Sequence, residues 1–174
     1  MIIWKNNLYQ NRMIREMTST DHTRVLEIYQ LGIDTRNATF ETEVPLWTDW
    51  DSKHLAHSRF VYIENEKVVG WAALSAVSAR PAYKGVAEIS IYIDTDYRAK
   101  GIGSQLMEMA IHSSEEHGIW TLNSSVFPEN AATLKLHEKF GFRIIGIKEK
   151  IARLDHKWRN TILLERRSKN PDYM

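Results

Sequence analysis

At residues 88–104 the sequence reads EISIYIDTDYRAKGIGS, and this stretch carries the strongest indications of the fold. Three isoleucines alternate with polar residues over 88–93, and this period of two predicts a strand with one buried face and one polar face. A glycine-containing loop follows at 98–103, and apolar residues then recur at helical spacing over 104–118. The stretch therefore predicts a strand, a basic glycine loop and a helix, in that order.

The glycine loop is suited to binding an anion. Backbone amides without an intrahelical partner cluster at a helix N-terminus, and Gly101 and Gly103 allow the chain to bend so that several amides point at one anion. Arg98 and Lys100 add positive charge, and Ser104 adds a hydroxyl donor. The alternative is an ordinary strand-to-helix turn. The pattern fits neither the dinucleotide fingerprint nor the G-x-x-x-x-G-K-[ST] phosphate loop.

Composition limits the functions that the chain can have. Its 174 residues, 43% hydrophobic and 26% charged, predict a single compact domain. The 23 Lys and Arg nearly balance the 22 Asp and Glu, so we expect a small-molecule partner and no nucleic-acid or membrane-surface role. Cysteine is absent, so a catalytic thiol must come from a cofactor, and no metal is expected. The sequence has no apolar run of spanning length and no signal-peptide pattern, which predicts a cytoplasmic location.

Two motifs resemble those of a known family. Arg98, Gly101 and Gly103 occupy the defining positions of R/Q-x-x-G-x-G/A, and residues 130–142 read NAATLKLHEKFGF, which is similar to N-x-x-A-x-x-L-Y-x-K-x-G-F. In this order and spacing they resemble the GCN5-related N-acetyltransferases, whose first motif grips the pyrophosphate of coenzyme A. A third pattern, R-x-A-Y-x-x-x-x-E-x-S-x-Y over 80–92, is similar to the branch that acetylates phosphinothricin and methionine sulfoximine.

The resemblance implies an α/β fold with a central, mixed and mostly antiparallel sheet, helices on both faces and a splayed parallel strand pair that admits coenzyme A. It covers residues 13–167 as a single acetyltransferase domain, with 1–12 as an extension outside the core and 168–174 as a frayed C-terminal tail. The patterns predict strands at 13–17, 60–64, 67–76, 88–93, 121–126, 142–150 and 157–166, and helices at 22–32, 48–57, 104–118 and 130–140.

Acetyl-CoA is the co-substrate that the resemblance implies. The strand backbone would pair with the pantetheine arm, the glycine loop would hold the pyrophosphate, and Asn130 would donate a hydrogen bond. Asn130 is equally well suited to be a plain helix N-cap. The predicted cofactor-binding residues are Ile91, Tyr92, Ile93, Arg98, Ala99, Lys100, Gly101, Ile102, Gly103, Ser104 and Asn130.

Glu88 and His137 are the predicted catalytic residues. An amine must lose a proton before it attacks a thioester, and Glu88 on the polar side of the strand is the candidate base, with a solvent-facing carboxylate as the alternative. A backbone N–H within 91–93 is the candidate donor to the developing oxyanion. His137 stands where many relatives have a tyrosine, so it either protonates the departing thiolate or packs in the core.

The acceptor is predicted to be the amine of a small amino acid or analogue such as phosphinothricin or methionine sulfoximine. The predicted substrate-binding residues are Phe40, Glu41, Arg80, Ala82 and Tyr83. Arg80 would bind a carboxylate through two hydrogen bonds, or is an exposed loop residue.

Near Trp158 the chain departs from this branch. Leu154 stands in place of a lysine, His156 and Lys157 in place of a glycine pair, and Asn160 in place of an aspartate. The alternatives are a protein N-terminus, lysine or polyamine acceptor, and a non-catalytic acyl-CoA-binding module. The resemblance also implies a homodimer.

Overall fold

A computed structural model describes residues 4–7 and 12–173. Its strands are β1 (Trp4–Asn7), β2 (Arg12–Glu16), β3 (Phe60–Glu64), β4 (Lys67–Ala76), β5 (Val86–Ile93), β6 (Thr121–Val126), β7 (Arg143–Leu154) and β8 (Lys157–Arg167). Its α-helices are α1 (His22–Asp34), α2 (Trp47–Lys53), α3 (Ile102–Glu116) and α4 (Ala131–Lys139). The strands form one eight-stranded sheet in the order β1-β2-β3-β4-β5-β6-β8-β7.

The sheet is antiparallel at every pairing except β5 with β6, which are parallel. A parallel pair requires a crossover, and α3 supplies it. The predicted fold class, a mixed and mostly antiparallel sheet with one parallel pair, is therefore confirmed.

Helices cover both faces of the sheet and bury two apolar clusters. On one face, Leu106 and Met107 of α3 pack with Ile89 and Leu122 of the central strands. On the other face, residues of α1 and α2 surround Trp71 of β4, whose indole Nε1 donates to the Val25 carbonyl at 3.1 Å. The three isoleucines of β5 belong to the α3 cluster, as their alternation predicts.

Two hairpins end in two-residue turns with left-handed backbone. The β3–β4 turn places Asn65 and Glu66 at φ 51° and 64°, and the strands on either side match the predicted ranges. The β7–β8 turn places Asp155 and His156 at φ 47° and 64°. The strand β7 therefore continues beyond the predicted end at Lys150, which itself has φ 48° in a bulge.

The ends of the described chain contact the domain. The strand β1 pairs with β2 at the edge of the sheet, whereas residues 1–3 and 8–11 of the predicted extension lie outside the described residues. The segment predicted to be a frayed tail packs against the end of α3: Ser168 Oγ donates to Glu115 Oε1 at 2.9 Å, and Tyr173 donates to the Glu115 carbonyl at 3.1 Å. Within the described ranges, no helix has the length and apolar character needed to cross a membrane.

Candidate active site

The parallel strands β5 and β6 separate after Glu88. They pair only at Val86, Ala87 and Glu88, opposite 121–123 of β6. The outer edges of both strands stay paired, since β4 follows β5 to Ile93 and β8 follows β6 to Val126. The two inner edges beyond this point face each other across a gap. The predicted splayed strand pair is therefore present.

The backbone of β5 offers hydrogen-bonding groups to this gap. The Asp94 N–H donates to the Val69 carbonyl of β4 at 2.9 Å. Because N–H directions alternate along a strand, the Tyr92 N–H also faces β4, whereas those of Ile91 and Ile93 face the gap. Two of the three strand residues predicted to bind the cofactor thus present free backbone groups there. Tyr92 contributes only its side chain, which stacks on Trp71 with ring centroids 4.8 Å apart.

A cavity of about 820 Å³ occupies the gap and the space beside it. It is lined from three sides: by β5 and β6, by the α1–α2 connection at 35–45, and by the beginning of α4. The lining includes Tyr29, Asn37, Phe40, Glu41, Lys53, His54, Ser75, Glu88, Ser90, Tyr92, Arg98, Ala99, Ser124, Ser125, Asn130, His137 and Thr161.

A second cavity of about 320 Å³ lies at the glycine loop and shares lining residues with the first, including Ile93 and Leu136. Its lining also includes Gly101, Ile102, Gly103 and Ser104 from the loop and the first turn of α3, and Lys135 and Lys139 from α4. Gly101 has φ 79° and is the N-cap of α3. The predicted cradle thus adjoins the main cavity. Lys100 lines neither cavity, and its ammonium lies 4.4 Å from the centroid of the Tyr97 ring.

Glu88 lies where the two strands separate. It is paired in register with Ser75 of β4 and Asn123 of β6, and its exposed side chain lines the cavity. Because the concave walls remove much of its hydration, burial raises the pKa of the Glu88 carboxyl, and the positive charge of Lys148 partly opposes that rise. A carboxylate with a raised pKa is a better proton acceptor than a solvated one.

His137 is buried at 4% exposure on the cavity side of α4. Its Nδ1 lies 2.8 Å from the Thr133 carbonyl, so Nδ1 carries the proton, and the buried Nε2 has no hydrogen-bond partner in the described chain. Burial lowers the pKa of His137, with the Thr133 hydrogen bond opposing the shift. The neutral ring therefore presents a lone pair at Nε2.

Asn130 joins the acceptor side of the cavity to α4. Its Oδ1 accepts from the Thr133 N–H at 3.2 Å, which is the N-cap role, and its Nδ2 donates to the Asn37 carbonyl at 3.0 Å. The loop that contains Asn37 also holds Phe40, whose ring meets Phe127 edge to face at 4.8 Å. These contacts bring the predicted substrate loop against the predicted cofactor side.

Comparisons with known proteins decide the family. The model of the "Acetyltransferase (GNAT) family" matches residues 17–142. This chain belongs to the GNAT acetyltransferase family. A Bacillus subtilis (strain 168) relative, YwnH, which is named provisionally as a phosphinothricin acetyltransferase, is 38% identical over 143 residues, covering 79% of this chain and 87% of the relative. The L-methionine sulfoximine/L-methionine sulfone acetyltransferase of Pseudomonas aeruginosa PAO1 is 26% identical over 151 residues, covering 83% of this chain and 88% of that protein.

Solved GNAT structures share the fold. A crystal structure named provisionally as a phosphinothricin N-acetyltransferase is 36% identical, with a TM-score of 0.82 over 90% of this chain and 98% of that one. A GNAT phosphinothricin acetyltransferase from Sinorhizobium meliloti, solved with acetyl-CoA, has a TM-score of 0.81 at 21% identity over 94% of this chain and 97% of that one. The predictions of the family, of an acetyl-CoA-dependent enzyme and of acetyl-CoA as co-substrate are confirmed. The alternative acceptors and the non-catalytic module gain no support.

Three predicted substrate residues do not line this GNAT cavity. Arg80, Ala82 and Tyr83 lie in the β4–β5 connection, where a short 3₁₀ helix spans Pro81–Tyr83. All three are exposed. The structure of one chain therefore brings Phe40 and Glu41 to the cavity but leaves the Arg80 guanidinium outside it.

Several GNAT cavity residues were not predicted from the sequence. Lys135 and Lys139 face the glycine loop, and Lys139 Nζ donates to Ser104 Oγ at 3.1 Å. Their spacing of four residues on a helix was the available signal. Thr161 and Lys53 gave no comparable signal, because only the pairing of β8 and the course of α2 bring them to the cavity. Within residues 4–7 and 12–173, no group of three or more His, Cys, Asp or Glu side chains could hold a metal ion.

Proposed function

We propose that this protein transfers acetyl from acetyl-CoA to the amine of a small amino acid or analogue of the phosphinothricin or methionine sulfoximine type. The observation that carries the proposal is the position of Glu88, whose carboxyl faces the cavity at the row where β5 and β6 separate. The names of the relatives support the acceptor class.

The cofactor would lie across the two joined cavities. The amides at the start of α3 and the lysines at 135 and 139 suit a pyrophosphate at one end. The backbone N–H groups of Ile91 and Ile93 suit the pantetheine amides in the gap, and one of them suits the negative charge that develops on the acetyl oxygen. Acetyl-CoA supplies the activated acetyl group, and the chain supplies position and hydrogen bonds.

Glu88 would act as the general base. The acceptor amine is protonated in neutral water and has no lone pair in that form. A partly desolvated carboxylate with a raised pKa accepts that proton directly or through one water, and the free amine then attacks the thioester.

His137 remains a catalytic candidate, but its Nε2 would accept a hydrogen bond, whereas the predicted general-acid role requires Nε2 to donate a proton. A general acid needs a proton on Nε2, whereas the Thr133 contact assigns the proton to Nδ1. We propose that Nε2 accepts a hydrogen bond from the cofactor, including the thiol that forms once the departing sulfur has taken the second proton, which the nitrogen loses as the amide forms.

We also propose that the protein works in the cytoplasm and that it forms a homodimer, as the resemblance to its branch implies. A contact between Arg80 and an acceptor would require a second chain, because Arg80 lies outside the cavity of its own chain.

Thiol release from acetyl-CoA tests the proposal. The panel contains phosphinothricin, methionine sulfoximine, standard amino acids, spermidine and short peptides, each with and without enzyme. Rapid release with the amino acids or their analogues supports the proposed acceptor class. Preferential thiol release with spermidine or peptides would overturn that acceptor class. If no compound in the panel causes thiol release although acetyl-CoA still binds, the proposed acetyl transfer to small amino acids is overturned.

A further inference from the structure

An amino-acid acceptor carries a carboxylate next to its amine, and a cation in the cavity should bind it. This inference rests on the proposed function. Arg80, the predicted cation, is outside the cavity of its own chain. The question is which positive side chain near Glu88 is free to take that role.

Two nearby cations already have partners. Arg159 donates to Glu129 at 3.0 Å and to the Arg36 carbonyl at 3.2 Å, and its guanidinium lies 4.2 Å from the centroid of the Phe127 ring. Lys53 lies 4.0 Å from Glu41. Both are therefore held by the protein itself, although the Lys53 pair is long and exposed.

Lys148 has the position and the freedom that the role needs. It lies directly opposite Thr161 in the β7–β8 pairing, so the two side chains share one face of the sheet. Thr161 lines the cavity, and the exposed Lys148 side chain lies next to it on the same face of the sheet, just outside the cavity lining. Lys148 makes no ion pair with any described residue, and its charge is the one that acts on Glu88.

Thr161 provides a second, independent observation. The residue is 4% exposed, and its buried hydroxyl oxygen has no hydrogen-bond partner among the residues described. A buried hydroxyl without a partner is unusual in a folded protein and calls for an explanation. A ligand oxygen in the adjoining cavity would satisfy it.

A β-bulge follows Lys148 immediately. The register shifts between Lys148 and Ala152, and the Lys150 N–H donates to Asn160 Oδ1 at 2.8 Å across the hairpin. Bulges change the direction of neighbouring side chains and are common next to active sites. Asn160, one of the positions at which this chain departs from its branch, thus fixes the strand beside Lys148.

We propose that Lys148 and Thr161 form an anion subsite that binds the carboxylate of the acceptor while Glu88 faces its amine. Lys148 and Glu88 have opposite charges, and no salt bridge joins them among the described residues. A zwitterion bound between them would therefore place its carboxylate toward Lys148 and its amine toward Glu88. Such an arrangement selects α-amino acids over amines that lack a carboxylate.

The experiment compares methionine sulfoximine with its carboxamide, which keeps the amine and side chain but removes the negative charge. Wild type, Lys148→Met and Thr161→Val are assayed well above the pKa of Glu88, so that its ionisation does not differ between variants. Lys150→Met is the matched control, because it removes the same charge from the same strand. Lys53→Met tests the competing cation.

We expect Lys148→Met to raise KM for methionine sulfoximine about ten- to hundredfold, the usual loss for a charge-assisted hydrogen bond, with a much smaller change for the carboxamide. Thr161→Val should raise KM in the same selective way without lowering Tm, because its hydroxyl has no protein partner to lose. Lys150→Met should match wild type. At lower pH, Lys148→Met should also move the acid limb of kcat/KM upward, since the charge that lowers the pKa of Glu88 is gone.

The outcomes separate this inference from the proposed function. If wild type prefers the carboxamide or a simple amine, both are overturned. If wild type prefers the carboxylate and Lys148→Met keeps that preference, the proposed function stands and the subsite is overturned. Loss of the preference in Lys53→Met alone would assign the role to Lys53 instead.

Discussion

At the scale of single residues, the site depends on polar groups that the fold leaves incompletely satisfied. Glu88 is partly desolvated without a salt bridge, His137 Nε2 and Thr161 Oγ1 have no partner within the described chain, and each of these residues lines the cavity. Folding alone would favour apolar residues of similar size at such positions. We infer that they are retained for contact with ligands.

Glu88→Gln should reduce kcat/KM by about a hundred- to ten-thousandfold, the usual contribution of a general base. Acetyl-CoA binding should persist, because the glycine loop is unchanged. Steady-state assays across pH, together with calorimetric titration of acetyl-CoA, check both statements. Turnover equal to that of wild type at every pH would remove Glu88 as the base.

The same substitution should raise Tm at neutral pH. The pKa of Glu88 is raised in the folded state, so the folded protein binds the proton more tightly than the unfolded chain does, and stability falls as pH rises through that range. Glutamine cannot ionise and avoids this loss. Thermal melts at several pH values should show the two proteins converging in acid, where Glu88 is protonated in both states, and diverging above it.

At the scale of elements, the strand-loop-helix unit of β5 and α3 places the cofactor site, and α4 closes it. The glycine loop can point its amides into the smaller cavity because Gly101 adopts φ 79°. The N-cap of α4 is tied to the acceptor loop through Asn130. The N-terminus of α4 therefore contacts both the cofactor side and the acceptor side of the site.

Gly101→Ala should lower the free energy of unfolding by about 1 kcal/mol, because L-residues are strained in left-handed backbone. It should also weaken acetyl-CoA binding about tenfold, since the added methyl group lies where the loop amides must approach an anion. Gly118→Ala is the matched control: Gly118 has φ 77° and, like Gly101, no atom within 4 Å of an added Cβ. Urea unfolding should give similar losses for both, whereas calorimetry should show weaker binding for Gly101→Ala alone. Equal affinities would argue against the loop as the cradle.

Asn130 can be divided into its two roles by substitution. Asn130→Asp keeps the oxygen that caps α4 but loses the donor to the Asn37 carbonyl, so stability should change by less than about 0.5 kcal/mol while KM for the acceptor rises. Asn130→Ala loses both and should cost about 1 kcal/mol. Denaturant melts and acceptor kinetics on the same two variants check this division. A rise in KM for acetyl-CoA alone would instead support the predicted cofactor contact.

At the scale of the whole molecule, local pattern predicted the elements well and long-range geometry poorly. The alternation in β5 and the Asn65–Glu66 turn are short-range signals, and both correctly predicted the strands around them. The resemblance supplied the splayed pair and the assignment of the glycine loop to coenzyme A, whereas the loop itself was predicted from its own residues. Arg80 was placed in the cavity by its chemistry, although the path of the β4–β5 connection takes it away. Thr161 reaches the cavity, and Lys148 lies beside it, only through the register of the last hairpin, which periodicity does not specify.

Histidines that are buried or half-buried in the folded state make the stability of the whole fold sensitive to acid. Burial lowers the pKa of His54, His57 and His137 in the folded state. Each ring is therefore neutral in the folded protein at neutral pH, and the unfolded chain takes up a proton at higher pH than the folded protein does. The stability that they contribute is complete above about pH 6.5, the unfolded pKa, and is lost as pH falls below it toward the folded values.

Asp21 affects the pH dependence of stability at lower pH than the histidines do. Burial raises its pKa, but hydrogen bonds from Arg15 and Thr18 lower it further, so its contribution is lost only below about pH 4.

Thermal melts from pH 7.5 to 5 should therefore show Tm falling with acid before the contribution of Asp21 is lost. His57→Asn should flatten that slope, because it removes a ring that stacks on His117 at 4.2 Å and keeps a group able to bond to Ser58. His112→Asn is the control, since the His112 side chain is 55% exposed beside Glu116. A slope that is unchanged in His57→Asn, or equally reduced in the control, would assign the acid sensitivity to other groups. Because this histidine pair is not part of the cavity lining, activity measured at pH 7.5 should stay at the wild-type value while the acid slope changes.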